Sequence, residues 1–248
     1  MRFASVLILC ASLLLPTLPA AATDLAEIHY VAARFPPYTL EQQDRAAGPT
    51  AALISALASR LGRPAALTVL PLARALAEAE NESNTLVALI ARTAARENSF
   101  HWVCPVLNYD VAMFRRRDRP DVVAESVSEL ARWQIAGVHL DVKTEYLLRQ
   151  GVPVQETADE DIAARQLLYG RIDTMPAHPA SLHLRLRELG ERPDTVTASL
   201  PLHDLTSRLY LAFGKATELS VVAAVSQACE AMLSNGDVDR LMRPQETN

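Results

Sequence analysis

The sequence lacks the features that announce several large protein classes. Three cysteines in 248 residues are too few for a disulfide-dense small scaffold. Six histidines are scattered along the chain. The nearest two, His178 and His183, are five residues apart, which fits neither one helical face nor a compact zinc pair. No metal is expected. Neither a phosphate loop nor a nucleophile elbow occurs, so no cofactor is implied. Only two of the 24 basic residues are lysines, Lys143 and Lys215, and the one basic run is Arg115-Arg116-Arg117, read as a solvated face. With a net charge of −5, this excludes nucleic acid as the main partner. There is no short internal repeat and no low-complexity segment. Beyond residue 22 no apolar run reaches the roughly 20 residues that span a bilayer.

What is present is an ordinary globular composition, 50% hydrophobic and 21% charged, in a chain long enough for one large domain or two smaller ones. The first 22 residues read as a removable secretory leader. Arg2 is followed by an apolar run from Val6 to Leu15, then Pro16, Pro19 and the small residues Ala20-Ala21-Ala22. Export leaves Cys104 and Cys229 where disulfides persist. They either close one loop of about 125 residues or remain two separate buried thiols.

Periodicity divides the remainder into two α/β series. The first reads as strand 27–33, helix 50–61 with Leu53, Ile54, Leu57, Ala58 and Leu61 on one face, strand 66–70, helix 72–80 and buried strand 85–91. A long extended crossing follows at 106–115. The second series reads as strand 133–139, helix 144–149, strand 152–154, helix 160–168, strand 171–175 and helix 179–189. A return crossing at 207–213 and a closing helix at 219–233 complete the chain. The expected architecture is two lobes, each a mostly parallel sheet flanked by helices, with residues 23–109 and 208–248 in one and 110–207 in the other.

Several local patterns, in this order and spacing, resemble the family 3 extracellular solute-binding proteins of the type II periplasmic binding fold. These are Phe35-Pro36-Pro37-Tyr38, Gly48 before the first helix, Pro71-Leu72-Ala73-Arg74-Ala75-Leu76, and Arg92-Thr93-Ala94-Ala95-Arg96-Glu97 running into Phe100-His101-Trp102-Val103-Cys104-Pro105. Gly170-Arg171-Ile172-Asp173, Tyr210-Leu211-Ala212-Phe213-Gly214-Lys215 and Asn235-Gly236-Asp237-Val238-Asp239-Arg240 complete the set. The resemblance spans essentially the whole chain after the leader. It implies a monomeric periplasmic protein that closes its lobes on a small polar solute, anionic or amino-acid-like, and delivers it to an ABC permease.

By that resemblance Thr93 and Arg96 hold the solute carboxylate, a task suited to a planar guanidinium. Phe35 and Tyr38 form an aromatic platform that the Pro-Pro pair presents. Arg74 and Arg92 are either further anion ligands or partners of Glu78 and Glu97. Three positions depart from the pattern. Leu72 stands where an opposing aromatic is common. His178 stands where amino-acid binders place an aspartate for the solute ammonium, and imidazole is the poorer acceptor. The glycine of the second-lobe anion-binding turn is replaced in His139-Leu140-Asp141-Val142-Lys143-Thr144. These departures argue against a plain α-amino acid. Two other functions compete: a cyclohexadienyl-dehydratase-like enzyme using His178 for proton transfer, and a solute-sensing accessory protein.

Overall fold

The computed structural model describes residues 27–205 and 207–244; the expected leader lies outside them. The chain begins with β1 (His29–Ala33), then a short hairpin, β2 (Leu40–Gln42) and β3 (Arg45–Ala47). Gln43 and Asp44, both at positive φ, make the two-residue turn that right-twisted strands favour. From sequence this segment reads only as a polar turn. α1 (Pro49–Arg60) starts with proline at its first position, where no N–H is needed, and buries Leu53, Ile54, Leu57 and Ala58. β4 (Leu67–Leu70), α2 (Leu72–Asn81) and β5 (Thr85–Ala91) follow. β5 is buried almost throughout, as a strand with helices on both faces must be.

The expected single crossing at 106–115 is two strands, β6 (Phe100–Tyr109) and β7 (Ala112–Arg116), broken at Asp110-Val111. β8 (Ala136–Val138), α3 (Val142–Arg149), β9 (Gln155–Thr157), α4 (Glu160–Leu168), β10 (Thr174–Ala177), α5 (Pro179–Glu188) and β11 (Val196–Pro201) come next. The chain returns through β12 (Ser207–Gly214) and closes with α6 (Leu219–Ser234) and α7 (Asp237–Leu241). The first sheet has the order β4-β1-β5-β12-β6. β1 runs parallel to β4 and β5, and β12 runs antiparallel to β5 and β6. Gly214 ends β12 against α2, where a Cβ would lie 2.0 Å from the Ala79 carbonyl oxygen.

Among the described residues of the second lobe, parallel pairing is confined to β8 with β9 and to the bridge between Ile135 and Thr174. β7 instead lies between β10 and β11 and runs antiparallel to both. Three expected strands shift. Residues 128–132 form a 3-10 turn, so the strand expected from 133 begins at Ala136. Val152 packs into the core ahead of β9, whose pairing with β8 starts at Gln155. Asp173 accepts from the Gln134 N–H at 3.0 Å, and β10 starts only after it. β11 had no clear sequence signal.

The first sheet buries one apolar cluster under α1 and α6, including Leu53, Leu57, Phe213, Val225 and Met232. Cys104 of β6 and Cys229 of α6 are disulfide-bonded inside it, with Cα atoms 6.4 Å apart. Of the two arrangements open from sequence, the bridge is the one found. A further cluster joins the lobes, with Ala91, Tyr109 and Leu209 packed among Met113, Tyr146 and Leu147.

Candidate functional site

A cavity of about 350 Å³ lies between the lobes, at the small end of the range that takes small molecules. From the first lobe come Phe35, Leu72, Leu89 and Arg96; from the second come Val138, Asp141, Lys143, Glu160, Asp161 and Arg185.

Arg96 sits in the turn after β5, its N–H bonded to the Thr93 carbonyl at 3.0 Å. Its Nη2 donates to the Leu140 carbonyl of the second lobe at 2.5 Å and lies 3.7 Å from Glu145. Among the described residues, Nε and Nη1 of Arg96 make no hydrogen bond. The Thr93 hydroxyl is buried and also lacks a partner.

The second-lobe wall is a packed ionic cluster. Gly137 lets the start of α3 press against β8, since a Cβ there would lie 2.2 Å from Thr144 Oγ1. Asp141 caps α3, accepting from the Lys143 N–H at 2.8 Å, and takes the Lys143 ammonium at 2.8 Å as well. Lys143 Nζ also donates to the Tyr109 hydroxyl at 2.9 Å and lies 3.4 Å from Glu160 Oε1. Glu160 Oε2 accepts from Arg185 Nε at 3.0 Å and from Ser181 Oγ at 3.2 Å. Burial alone would lower the Lys143 ammonium, but Asp141, Tyr109 and Glu160 hold it well above its ordinary range. Burial would likewise raise Glu160, yet Lys143 and Arg185 hold it down to about 2.

Other ion pairs span the lobes. Arg34, just past β1, pairs with Asp161 at 3.0 Å and with Glu188, and its carbonyl accepts from Arg185 Nη2 at 3.2 Å. Arg185 also pairs with Asp161.

The expected site residues do not all converge. Phe35, Leu72 and Arg96 line the cavity. Tyr38 is buried in the first-lobe core, its ring 5.4 Å from that of Phe35. His178 lies behind the cavity wall, among Phe35, Tyr38 and Tyr109. It caps α5, where its Nδ1 accepts from the Ser181 N–H at 3.4 Å. Burial lowers the imidazole to about 4, so the ring is neutral. Arg74 pairs with Glu78 one turn on at 2.7 Å and is exposed. Arg92 pairs with Glu97 and lies over the rings of Trp102 and Tyr210, at 5.5 and 5.8 Å. Neither arginine lines the cavity. Sequence reasoning did not single out Arg34, Tyr109, Glu160, Asp161 or Arg185, which are brought together from distant segments without a local motif. The Arg115–Arg119 run is taken up in ion pairs and hydrogen bonds to Asp118, Asp121, Asp173 and nearby carbonyls.

Among the described residues no group of three or more His, Cys, Asp or Glu side chains is placed to hold a metal ion. No helix among them is long and apolar enough to cross a membrane.

No protein-family model and no curated protein matches the sequence. Solved structures do match over most of the chain. A histidine kinase sensor domain described as similar to periplasmic binding proteins aligns with a TM-score of 0.77 at 18% identity, covering 88% of this chain and 95% of its own. A mutant of ArgBP from T. maritima aligns at 0.73 and 15% identity, covering 87% and 93%. AbpA from Streptococcus pneumoniae, an amino acid ABC transporter substrate-binding protein bound to L-arginine, aligns at 0.72 and 18% identity, covering 86% and 92%. The first is described as a sensor domain and the last as a substrate-binding protein. At such identities the likeness speaks to architecture alone, and by it the chain has the two-lobed α/β fold of periplasmic binding proteins.

Proposed function

We propose that this chain is an exported, monomeric solute-binding protein that closes its two lobes around a small anionic solute and presents it to an ABC-type permease. One observation carries this reading. Arg96 faces a cavity lined by both lobes, with two of its donor nitrogens free of hydrogen bonds among the described residues. A bound anion there touches both lobes at once, so binding favours the closed state. Lobe boundaries near residues 109 and 208, together with an N-terminal leader, fit the same reading.

A thermal-shift screen of the purified protein against amino acids, organic acids, polyamines and small peptides tests it. A solute at 100 times its dissociation constant adds about 2.7 kcal/mol, or roughly 5–10 °C in a chain of this size. The solute is expected to be recovered unchanged, and Arg96→Gln to abolish the shift. A flat response to the whole panel counts against solute binding.

A second reading, sensing without transport, is favoured by the sensor-domain likeness at a TM-score of 0.77. Co-purification with a permease complex supports transport, and co-purification with a membrane kinase supports sensing.

A further inference from the structure

The cavity has an unusual charge inventory for a site meant to hold a zwitterion. Of its cations, Arg34, Lys143 and Arg185 are each bound to carboxylates of the chain itself. Arg96 is the one lining cation with no hydrogen bond to a carboxylate among the described residues. Three lining carboxylates are likewise paired with cations of the chain. Asp141 serves Lys143, Asp161 serves Arg34 and Arg185, and Glu160 bonds Arg185 through Oε2 while its Oε1, which makes no hydrogen bond among the described residues, lies 3.4 Å from the Lys143 ammonium. The remaining two, Glu41 and Asp159, are exposed, where an ammonium stays hydrated and an ion pair adds little. His178 offers no charge and lies outside the cavity lining. An ammonium drawn into this space would lose its water and meet only carboxylates already paired with Lys143, Arg34 or Arg185, whose own positive charges repel it, which disfavours binding. The rest of the wall is apolar: Phe35, Val69, Leu72, Leu89, Val142 and Leu209.

Resting on the solute-binding reading, we propose that the ligand is a small monocarboxylate with an aliphatic or aromatic body and no ammonium group. Its carboxylate is held by Arg96 and its body lies against the apolar wall.

Titration calorimetry with matched pairs tests this: 4-methylpentanoate against L-leucine, and 3-phenylpropanoate against L-phenylalanine. Within each pair the α-ammonium is the difference. In at least one pair the acid is expected to bind at least tenfold more tightly than the amino acid. Its primary amide is expected to show no measurable binding. Arg96→Gln should weaken the acid by tenfold or more while the unliganded protein still unfolds cooperatively; if that variant does not fold, the amide comparison decides. An amino acid that binds as tightly as its acid overturns the ligand class and leaves solute binding standing. So does failure of both acids while some solute of the wider panel binds. Silence across both pairs and the wider panel overturns solute binding itself.

Discussion

Tyr109 and His178 lie with their rings parallel, centroids 5.8 Å apart and planes 3° from coincident. Tyr109 ends a strand of the first sheet and His178 caps a helix of the second lobe, so the pair is a seam between the lobes. On one side the tyrosine hydroxyl accepts from Lys143. On the other, the imidazole Nδ1 accepts a backbone N–H, a role open only to the neutral ring.

That seam makes stability depend on pH. Burial lowers His178 to about 4 from an ordinary 6.5, against the pull of Glu160 and Asp110 and with the repulsion of Lys143. Because the folded value is depressed, its contribution is fully present above about pH 6.5 and is lost as pH falls through the window to about 4. The loss is on the order of 3 kcal/mol. His178→Asn keeps a capping acceptor without the titration. Urea midpoints measured from pH 7 to 4.5 should fall more steeply in the wild type. Equal slopes would place the acid sensitivity elsewhere, for example in His101 or His183, which burial also lowers.

Glu160 is the hinge of the buried charge cluster. Glu160→Gln leaves Arg185 and Lys143 each short of a counterion in a dry environment, and removing one member of such a cluster costs about 3–5 kcal/mol. The melting temperature should drop by roughly 6–20 °C at 2–4 °C per kcal/mol. A double change to Glu160→Met with Lys143→Met should cost less than the sum of the two single changes. Additivity would show that the two charges do not depend on each other.

Arg34 holds the lobes together without any ligand. It reaches Asp161 and Glu188 across the cleft and is about a third exposed, so its contribution to closure is about 1 kcal/mol. Arg34→Ala should lower the closed-to-open ratio about fivefold and enlarge the radius of gyration seen by solution scattering. High salt should shift the wild type the same way. An unchanged scattering curve in the variant would mean that the remaining contacts across the lobes, the Arg96 bond to the Leu140 carbonyl and the packing around Tyr109 and Leu209 among them, suffice for closure.

The helices were largely legible in the sequence. α1, α4 and α5 show apolar spacing and starting residues that place them within a residue or so of where they lie. The second-lobe strands were less so: β8, β9 and β10 are three or four residues long, shorter than any periodicity test resolves. At the site, Arg92 and Arg96 look alike as letters. What separates them is the Glu97 carboxylate, which pairs with Arg92 rather than with its sequence neighbour Arg96; of the two roles left open in sequence for Arg74 and Arg92, the structure shows the pairing with Glu78 and Glu97. The Tyr109, Lys143, Glu160 and Arg185 cluster is not readable in the sequence, because its members come from four separate segments and meet only in three dimensions. In sequence Lys143 stands out only as part of the altered second-lobe turn, able to offset the charge of Asp141; that it is buried against Tyr109 and Glu160 emerges only in three dimensions.

The Cys104–Cys229 bond ties the strand leaving the first sheet to the helix that follows the returning strand. Everything between, including the whole of the second sheet, is therefore a covalently closed ring rather than an open excursion. A protease that cuts any bond within that ring nicks the protein without releasing a piece. The two fragments migrate as one species until a reductant is added, and the first lobe keeps both of its halves in place while the other is opened.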